Sequence, residues 1–350
     1  YVNSIYEIKN RVYEIPASLT GILRDYQKAG FQWLKALTQT GLGGILADDM
    51  GLGKTLQILA LILSEKEKMN GPALVIAPTS LVYNWMLEAE KFTPELKVLT
   101  ITGNQAQRKN LLDRIGEYDL VITSYPLIRR DIEAYRKHSF SFCIIDEAQH
   151  VKNHYTQSAR AIRKISARTR FALTGTPMEN SLTELWSIFD FIMPGYLYTQ
   201  QKFHERFVKP IITDGDRNAG EDLSRHIRPF ILRRMKKDVL KELPEKIETI
   251  VTCEMTKPQR DIYAAVLAQA RNEIEATMDE QGFERSHLQI LAALTRLRQI
   301  CCHPASFIEN YEGGSGKLDL LMELLEENLA LGHRVLLFSQ FTSILDIIEE

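Results

Sequence analysis

Short apolar runs alternate with helical stretches along the first half of this 350-residue chain. The runs are rich in Val, Ile, Leu and Phe and carry no internal polar alternation, which is typical of strands buried on both faces. Strands that alternate with helices predict an α/β fold, a parallel sheet flanked by helices. The predicted strands are Gly44–Ala47, Ala73–Ala77, Val98–Ile101, Leu120–Thr123, Phe142–Ile145 and Arg170–Leu173.

Small, hydroxylic and acidic residues follow each of these strands. In open α/β sheets, ligands bind outside the carboxyl ends of the strands. The sequence therefore predicts a ligand site at that edge of the sheet. The segments concerned begin at Asp48, Pro78, Thr102, Ser124, Asp146 and Thr174.

The loop after the first strand carries the strongest chemical signal. Gly51-Leu52-Gly53-Lys54-Thr55 joins a strand to a helical run, which is the arrangement of a phosphate-binding loop. Lys54 supplies a positive charge and the Thr55 hydroxyl can hold Mg²⁺. Asp48 stands where the usual motif has its first Gly, so a Gly-rich turn that merely caps the helix is the alternative.

An acidic pair, Asp146-Glu147, directly follows the strand Phe142–Ile145. A carboxylate at this position can face the metal held by the phosphate loop, and Glu147 can orient and deprotonate a water. The alternative is an Asp that only caps the next helix.

Composition limits the classes of protein that the chain can represent. It is 45% hydrophobic and 25% charged, like an ordinary globular protein, and no apolar run approaches the roughly 18 residues of a membrane span. The net charge of −2 means that any nucleic-acid contact requires a local basic face. Cys301-Cys302-His303 lacks the second ligand pair of a zinc site.

These motifs, taken with others in the same order, resemble the SWI/SNF-type ATPases of superfamily two, helicase-like translocases on double-stranded DNA. The sequence from about Glu179 to Tyr196 is most similar to that of bacterial members of the family. The further matching segments are Leu23 to Gln27, Ile76 to Pro78 with Trp85, Ile145 to Gln149, Leu173 to Pro177 with Glu179-Asn180, Leu232 to Arg234, Asp238-Val239, Leu243-Pro244, Cys302 to Pro304 and Val335 to Gln340.

The resemblance implies a site for ATP and Mg²⁺. Gln27 would lie at the adenine edge, Thr55 and Asp146 would hold Mg²⁺, Glu147 would activate water and Gln149 would sense the γ-phosphate. The residues expected to bind the phosphates are Asp49, Met50, Gly51, Leu52, Gly53 and Lys54, together with Thr55.

The resemblance also implies residues that contact the DNA backbone and residues that couple nucleotide binding to movement of the lobes. Hydroxyls of two pairs, Thr79-Ser80 and Thr123-Ser124, would contact phosphates, with helix N-capping as the alternative for each. Thr174 and Thr176 would couple the nucleotide state to lobe movement. The basic stretch Arg225 to Lys246 is interpreted either as structure between the lobes or as a DNA contact.

We expect a RecA-like first lobe over residues 1–245, with a helical insertion at about 186–240, and the start of a second RecA-like lobe over 246–350. The first strand of that second lobe is predicted at Arg334–Phe338. Tyr83 and Trp85 are predicted to be core residues rather than base-stacking ones.

The expected function is ATP-driven translocation on double-stranded DNA that displaces or remodels DNA-bound proteins, by a cytoplasmic, nucleoid-associated monomer without a membrane partner. The chain resembles an excised fragment that would hydrolyse ATP poorly, because an arginine finger from the rest of the second lobe contributes about 10³–10⁵ in turnover. The alternatives are an RNA-dependent helicase of the same superfamily and a non-catalytic DNA-binding scaffold.

Overall fold

The structure is a computed structural model that describes residues 11–175, 181–239, 247–281 and 283–349. The chain divides into two compact units, Tyr1–Pro244 and Glu245–Glu350. The expected assignment of these parts to two lobes stays a prediction.

The first unit is built on one sheet of seven parallel strands, in the order β3-β4-β2-β5-β6-β1-β7. Six of the strands overlap the predicted ones, which confirms the α/β fold class. The strands are β1 (Gly44–Leu46), β2 (Ala73–Ala77), β3 (Val98–Thr100), β4 (Leu120–Ser124), β5 (Ser139–Ile145), β6 (Ser166–Leu173) and β7 (Ile231–Leu232).

Helices connect the strands and cover the sheet, as parallel strands require. The α-helices of this unit are α1 (Asp25–Gln39), α2 (Lys54–Glu65), α3 (Thr79–Phe92), α4 (Gln105–Leu112), α5 (Tyr125–Arg130), α6 (Ile132–Tyr135), α7 (Gln157–Arg163), α8 (Leu182–Ile192), α9 (Gln200–Phe203), α10 (Lys209–Ile212), α11 (Arg217–Ile227) and α12 (Lys236–Val239). A π-helical turn, His204–Val208, joins α9 to α10.

The core lies on both faces of the sheet. Every residue of β1, β2 and β4 is buried, which explains why the sequence shows apolar runs rather than alternation. This burial leaves the strand ends and their loops as the places where polar side chains can act.

The strand β7 lies within the range predicted as a helical insertion. Ile231 pairs with Ile45 and Leu232 with Leu46, so this segment extends the sheet beside β1. The range 186–240 is therefore not helical throughout, and its last part belongs to the sheet.

The second unit is helical in the part of it that the structure describes. The prediction of a strand at Arg334–Phe338 is wrong. Among the described residues of 247–349, which exclude position 282, no strand is formed. A strand is stable only when it pairs with a neighbouring strand. Leu336 and Phe338 are 84% and 87% exposed. The helices are α13 (Lys257–Gln281), α14 (Phe283–Cys302), α15 (Gly316–Ala330) and α16 (Thr342–Glu349).

Across the described residues of both units, no helix combines the length and the apolar character that a bilayer crossing requires.

Candidate nucleotide-binding site

The loop between β1 and α2 depends on two glycines with left-handed backbone. Gly51 has φ = 84° and Gly53 has φ = 70°, a region that L side chains rarely adopt. Gly53 is also the N-cap of α2, and a Cβ there would lie 2.4 Å from Gln27 Nε2. The free N–H groups of the first turn of α2 point toward this loop, as an anion site requires.

The side chains of the loop point to different surroundings. Leu52 is buried, so only its backbone is available to a ligand, whereas Met50 is 69% exposed. Asp49 Oδ2 accepts a hydrogen bond from the Lys236 N–H at 2.9 Å. The prediction that residues 49–53 bind phosphate therefore applies to backbone groups.

Gln27 lies directly against the loop. Its Nε2 donates to the Leu52 carbonyl at 3.1 Å and its Oε1 accepts from the Arg24 N–H at 2.9 Å. A carboxamide has a second donor hydrogen and a second acceptor site, so a contact with adenine stays a prediction that this geometry permits.

Lys54 lies between the loop and the acidic pair. Its Nζ donates to the Asp48 carbonyl at 2.7 Å. Burial lowers the pKa of Lys54, and the negative charges of Glu147 and Asp146 act in the opposite direction. The structure thus brings the predicted lysine and both predicted carboxylates into one electrostatic site.

Asp146 is held at the end of β5 by two hydrogen bonds. Oδ2 accepts from Trp85 Nε1 at 2.8 Å and Oδ1 accepts from the Glu147 N–H at 2.9 Å. Burial raises the pKa of Asp146, and these two bonds oppose the rise. Trp85 is a core residue as predicted, whereas Tyr83 is 64% exposed and its prediction as core is wrong.

The oxygen donors of this site fit Mg²⁺. The ion prefers carboxylate and hydroxyl oxygens and keeps several waters, and each oxygen of Asp146 can accept more than the one bond that it has. Thr55, half-buried in the first turn of α2, is the hydroxyl that the sequence predicts as the other ligand.

Glu147 begins a chain of hydrogen bonds that reaches Thr174, the residue after β6. Its backbone is left-handed, with φ = 49°, which is unusual and costly for a residue with a side chain. Gln149 Nε2 donates to Glu147 Oε2 at 2.8 Å, and Thr174 Oγ1 donates to Gln149 Oε1 at 3.3 Å. The structure therefore brings three predicted residues together, while Thr176 lies outside the described residues.

The site is a strand–loop–helix whose lysine lies in the field of an Asp-Glu pair at the carboxyl edge of a parallel sheet. A protein-family model, the SNF2-related domain, matches residues 26–306 of this chain, which include the whole site. The chain belongs to the SNF2-related family.

Two curated members show how far the similarity extends. The putative ATP-dependent helicase/translocase YwqA of Bacillus subtilis is 40% identical in an alignment 341 positions long, which covers 94% of this chain and 36% of that protein. The ISWI chromatin-remodeling complex ATPase CHR11 of Arabidopsis thaliana is 37% identical in an alignment 358 positions long, gaps included, which covers 97% of this chain and 33% of that one. The chain thus spans about a third of the length of these relatives.

A solved structure supports the same family. The SWI2/SNF2 ATPase core of Sulfolobus solfataricus in complex with double-stranded DNA has a TM-score of 0.62 and 38% identity, and the match covers 97% of this chain and 70% of that one. The sheet of the first unit is accordingly the RecA-like sheet of an SNF2-related ATPase core.

Two of the four hydroxyls predicted to bind DNA are not at the surface of this SNF2-related chain. Thr123 is 0% and Ser124 is 2% exposed, because both end the interior strand β4, so their contact with DNA stays a prediction that the exposed surface does not support. Thr79 and Ser80 are exposed at the start of α3, whose N-cap is Pro78, so neither is the N-cap. For these two, a DNA contact stays a prediction.

Asp48, which stands where the usual phosphate-loop motif has its first Gly, has buried partners of its own. Its side chain is fully buried and accepts hydrogen bonds from Arg234 Nε at 2.9 Å and from Gln57 Nε2 at 3.2 Å. Arg234 therefore belongs to the phosphate-loop region, which neither interpretation of the basic stretch expected. Arg233, beside it, is exposed.

Proposed function

We propose that this chain is the ATP-binding part of a DNA-dependent ATPase that moves along double-stranded DNA and displaces or remodels bound proteins. The observation that carries the proposal is the electrostatic site in which Lys54 faces Asp146 and Glu147 beside a glycine loop. Membership of the SNF2-related family supports the same activity.

Five polar residues of the site have parts in hydrolysis. Lys54 and the N–H groups of the first turn of α2 bind the β- and γ-phosphates, and Glu147 takes a proton from the attacking water. Gln149 holds the Glu147 carboxylate in place through the bond at 2.8 Å. Bound Mg²⁺, held by Thr55 and Asp146, would neutralise charge on the phosphates.

The DNA part of the proposal rests on two further observations. The similar core from Sulfolobus solfataricus was solved with double-stranded DNA. Thr79 and Ser80 lie exposed at a helix N-terminus, where phosphates bind without any reading of base sequence. We further propose that the protein acts as a monomer and that its substrate is bacterial chromosomal DNA.

The decisive experiment measures ATP turnover of the whole protein with duplex DNA, single-stranded DNA and RNA. We expect duplex DNA to stimulate most, with less stimulation as salt rises. Preferential stimulation by RNA would instead indicate an RNA-dependent helicase.

Two variants test the assigned residues in that assay. Glu147→Gln should lower turnover by about 10²–10⁴ while nucleotide binding persists, because only the general base is lost. Lys54→Ala should lose both turnover and tight binding. Full turnover by either variant would contradict the assignment.

A further inference from the structure

A buried ion pair joins the phosphate loop to the segment that follows β7. Arg234 Nε donates to Asp48 Oδ1 at 2.9 Å, and Nη2 donates to the other carboxylate oxygen. The two residues are 186 positions apart in the chain. Asp48 is fully buried, and a buried carboxylate needs a partner of this two-pronged kind to remain charged.

The same guanidinium also contacts the two helices beside the loop. Arg234 Nη2 donates to Gln57 Oε1 of α2 at 2.8 Å, and Nη1 donates to the Tyr26 carbonyl of α1. The guanidinium carbon lies 5.4 Å from the centre of the Tyr26 ring. One side chain therefore links the loop, α1 and α2.

Helix α1 is shaped to admit this cluster. A Cβ at Gly30 would lie 1.8 Å from Gln57 Oε1 and 2.8 Å from Arg234 Nη2. The absence of a side chain at this helical position, despite the low helix propensity of glycine, leaves the space that the cluster fills.

The backbone repeats the connection on the other side of the loop. The Ala47 N–H donates to the Leu232 carbonyl at 2.7 Å, and the Asp49 N–H donates to the Arg234 carbonyl at 3.0 Å. The Lys236 N–H returns a bond to Asp49 Oδ2 at 2.9 Å. Residues 232, 234 and 236 of the segment 231–236 are thus each hydrogen-bonded to residue 47 or 49 at the start of the loop.

We propose that Arg234 is a positioning residue for the nucleotide. Through Asp48 it holds the phosphate loop in the conformation that receives phosphate groups, so nucleotide binding and the docking of segment 231–236 stabilise each other. This inference rests on the proposed function, that the loop binds a nucleotide. Linkage requires the effect to be reciprocal.

The first experiment compares Arg234→Gln with Arg233→Gln, using the 350-residue chain and a fluorescent ADP analogue with Mg²⁺. Arg233 is the matched control, because it is the adjacent arginine and is exposed. We expect Arg234→Gln to weaken binding by about 5- to 150-fold, the usual range of such coupling, and Arg233→Gln to bind like the unaltered chain. Equal affinities of the two variants would overturn the inference.

The second experiment needs no variant and decides the matter if Arg234→Gln does not fold. Amide hydrogen exchange of the unaltered chain is measured with and without ADP and Mg²⁺, and α11 serves as a reference segment. Nucleotide should slow exchange across 231–236, including the Lys236 N–H, and leave α11 unchanged. A purely structural Arg234 would show no such response.

The two failures can be told apart. If the unaltered chain binds nucleotide and segment 231–236 keeps its exchange rate, the inference fails and the proposed function stands. If the unaltered chain binds no nucleotide at all, the proposed function fails and the inference falls with it.

Discussion

The hydrogen bond from Trp85 to Asp146 allows a test of how the site keeps a carboxylate charged while buried. Trp85→Phe removes the Nε1 donor, which lies 2.8 Å from Oδ2, and retains most of the aromatic packing. Only the Glu147 N–H then remains of the two bonds that favour the ionised form.

The magnitude follows from the charge of the acceptor. A hydrogen bond to an ionised group contributes about 1.5–3 kcal/mol to stability, against about 0.5–1.5 kcal/mol for a neutral pair. Because burial already raises the pKa of Asp146, the folded chain binds a proton more tightly than the unfolded chain. Stability therefore falls as pH rises above the unfolded pKa, and Trp85→Phe raises the folded pKa further.

The loss of stability in Trp85→Phe should consequently be largest near neutral pH. It should shrink by about 1 kcal/mol as the pH falls below the folded pKa, where the acceptor becomes neutral. The assay is urea unfolding at about pH 7.5 and at a second, more acidic pH below the folded pKa, with each variant compared with the unaltered chain.

Trp33→Phe is the matched control, because Trp33 Nε1 donates to the neutral carbonyl of Pro229 at 3.1 Å. Its loss should be about 0.5–1.5 kcal/mol and the same at both pH values. If the two variants show the same dependence on pH, the reasoning on Asp146 is refuted.

Three other variants test the phosphate loop, the acidic pair and the buried ion pair between α1 and α2. Gly53→Ala should cost about 1–2 kcal/mol of stability and weaken nucleotide binding, because φ is 70° and the new Cβ would meet Gln27; unfolding and nucleotide titration measure both. Glu147→Gly should keep or gain stability, by up to about 1 kcal/mol, as the strain at φ = 49° is relieved, while the whole protein loses ATP turnover. Lys35→Met should cost about 3–5 kcal/mol in urea unfolding, because it leaves the buried Glu65 carboxylate without its ammonium partner.

Each of these has a control within the chain. Gly116→Ala adds a Cβ with no atom within 4 Å and should change little. Asn310→Gly relieves a similar backbone, φ = 58°, and should leave turnover intact. Lys28→Met breaks an exposed pair with Asp25, 3.3 Å apart, and should cost at most about 1 kcal/mol. A loss in any control as large as in its counterpart would contradict the explanation given for that counterpart.

The sequence was sufficient for the sheet because its signal is local. Strand β2 is a run of apolar residues bounded by Pro72 and Pro78, and the Asp146-Glu147 pair follows a similar apolar run. The strand β7 could not be predicted in this way, since two residues, Ile231 and Leu232, show no periodicity. Its place in the sheet depends on pairing with β1.

Which polar residues are buried is harder to predict from sequence than which segments form strands. Thr123 follows apolar residues like any strand end, yet the position of β4 between β3 and β2 covers it. Asp48 looked like a departure from a glycine motif because its partner, Arg234, lies far along the chain. Pairings of this kind are determined by the tertiary fold and leave no spacing that a sequence pattern can detect.

The two-residue strand β7 also limits where this protein can be shortened. A chain that ends before residue 231 would leave the N–H and carbonyl groups of β1 unpaired along one edge and Asp48 without its counter-charge. Open strand edges pair with other chains, and a buried unpaired carboxylate favours unfolding. Shortened forms that retain residues 231–236 should stay in solution, whereas those that stop at about residue 225 should aggregate although α1 and α2 are still present.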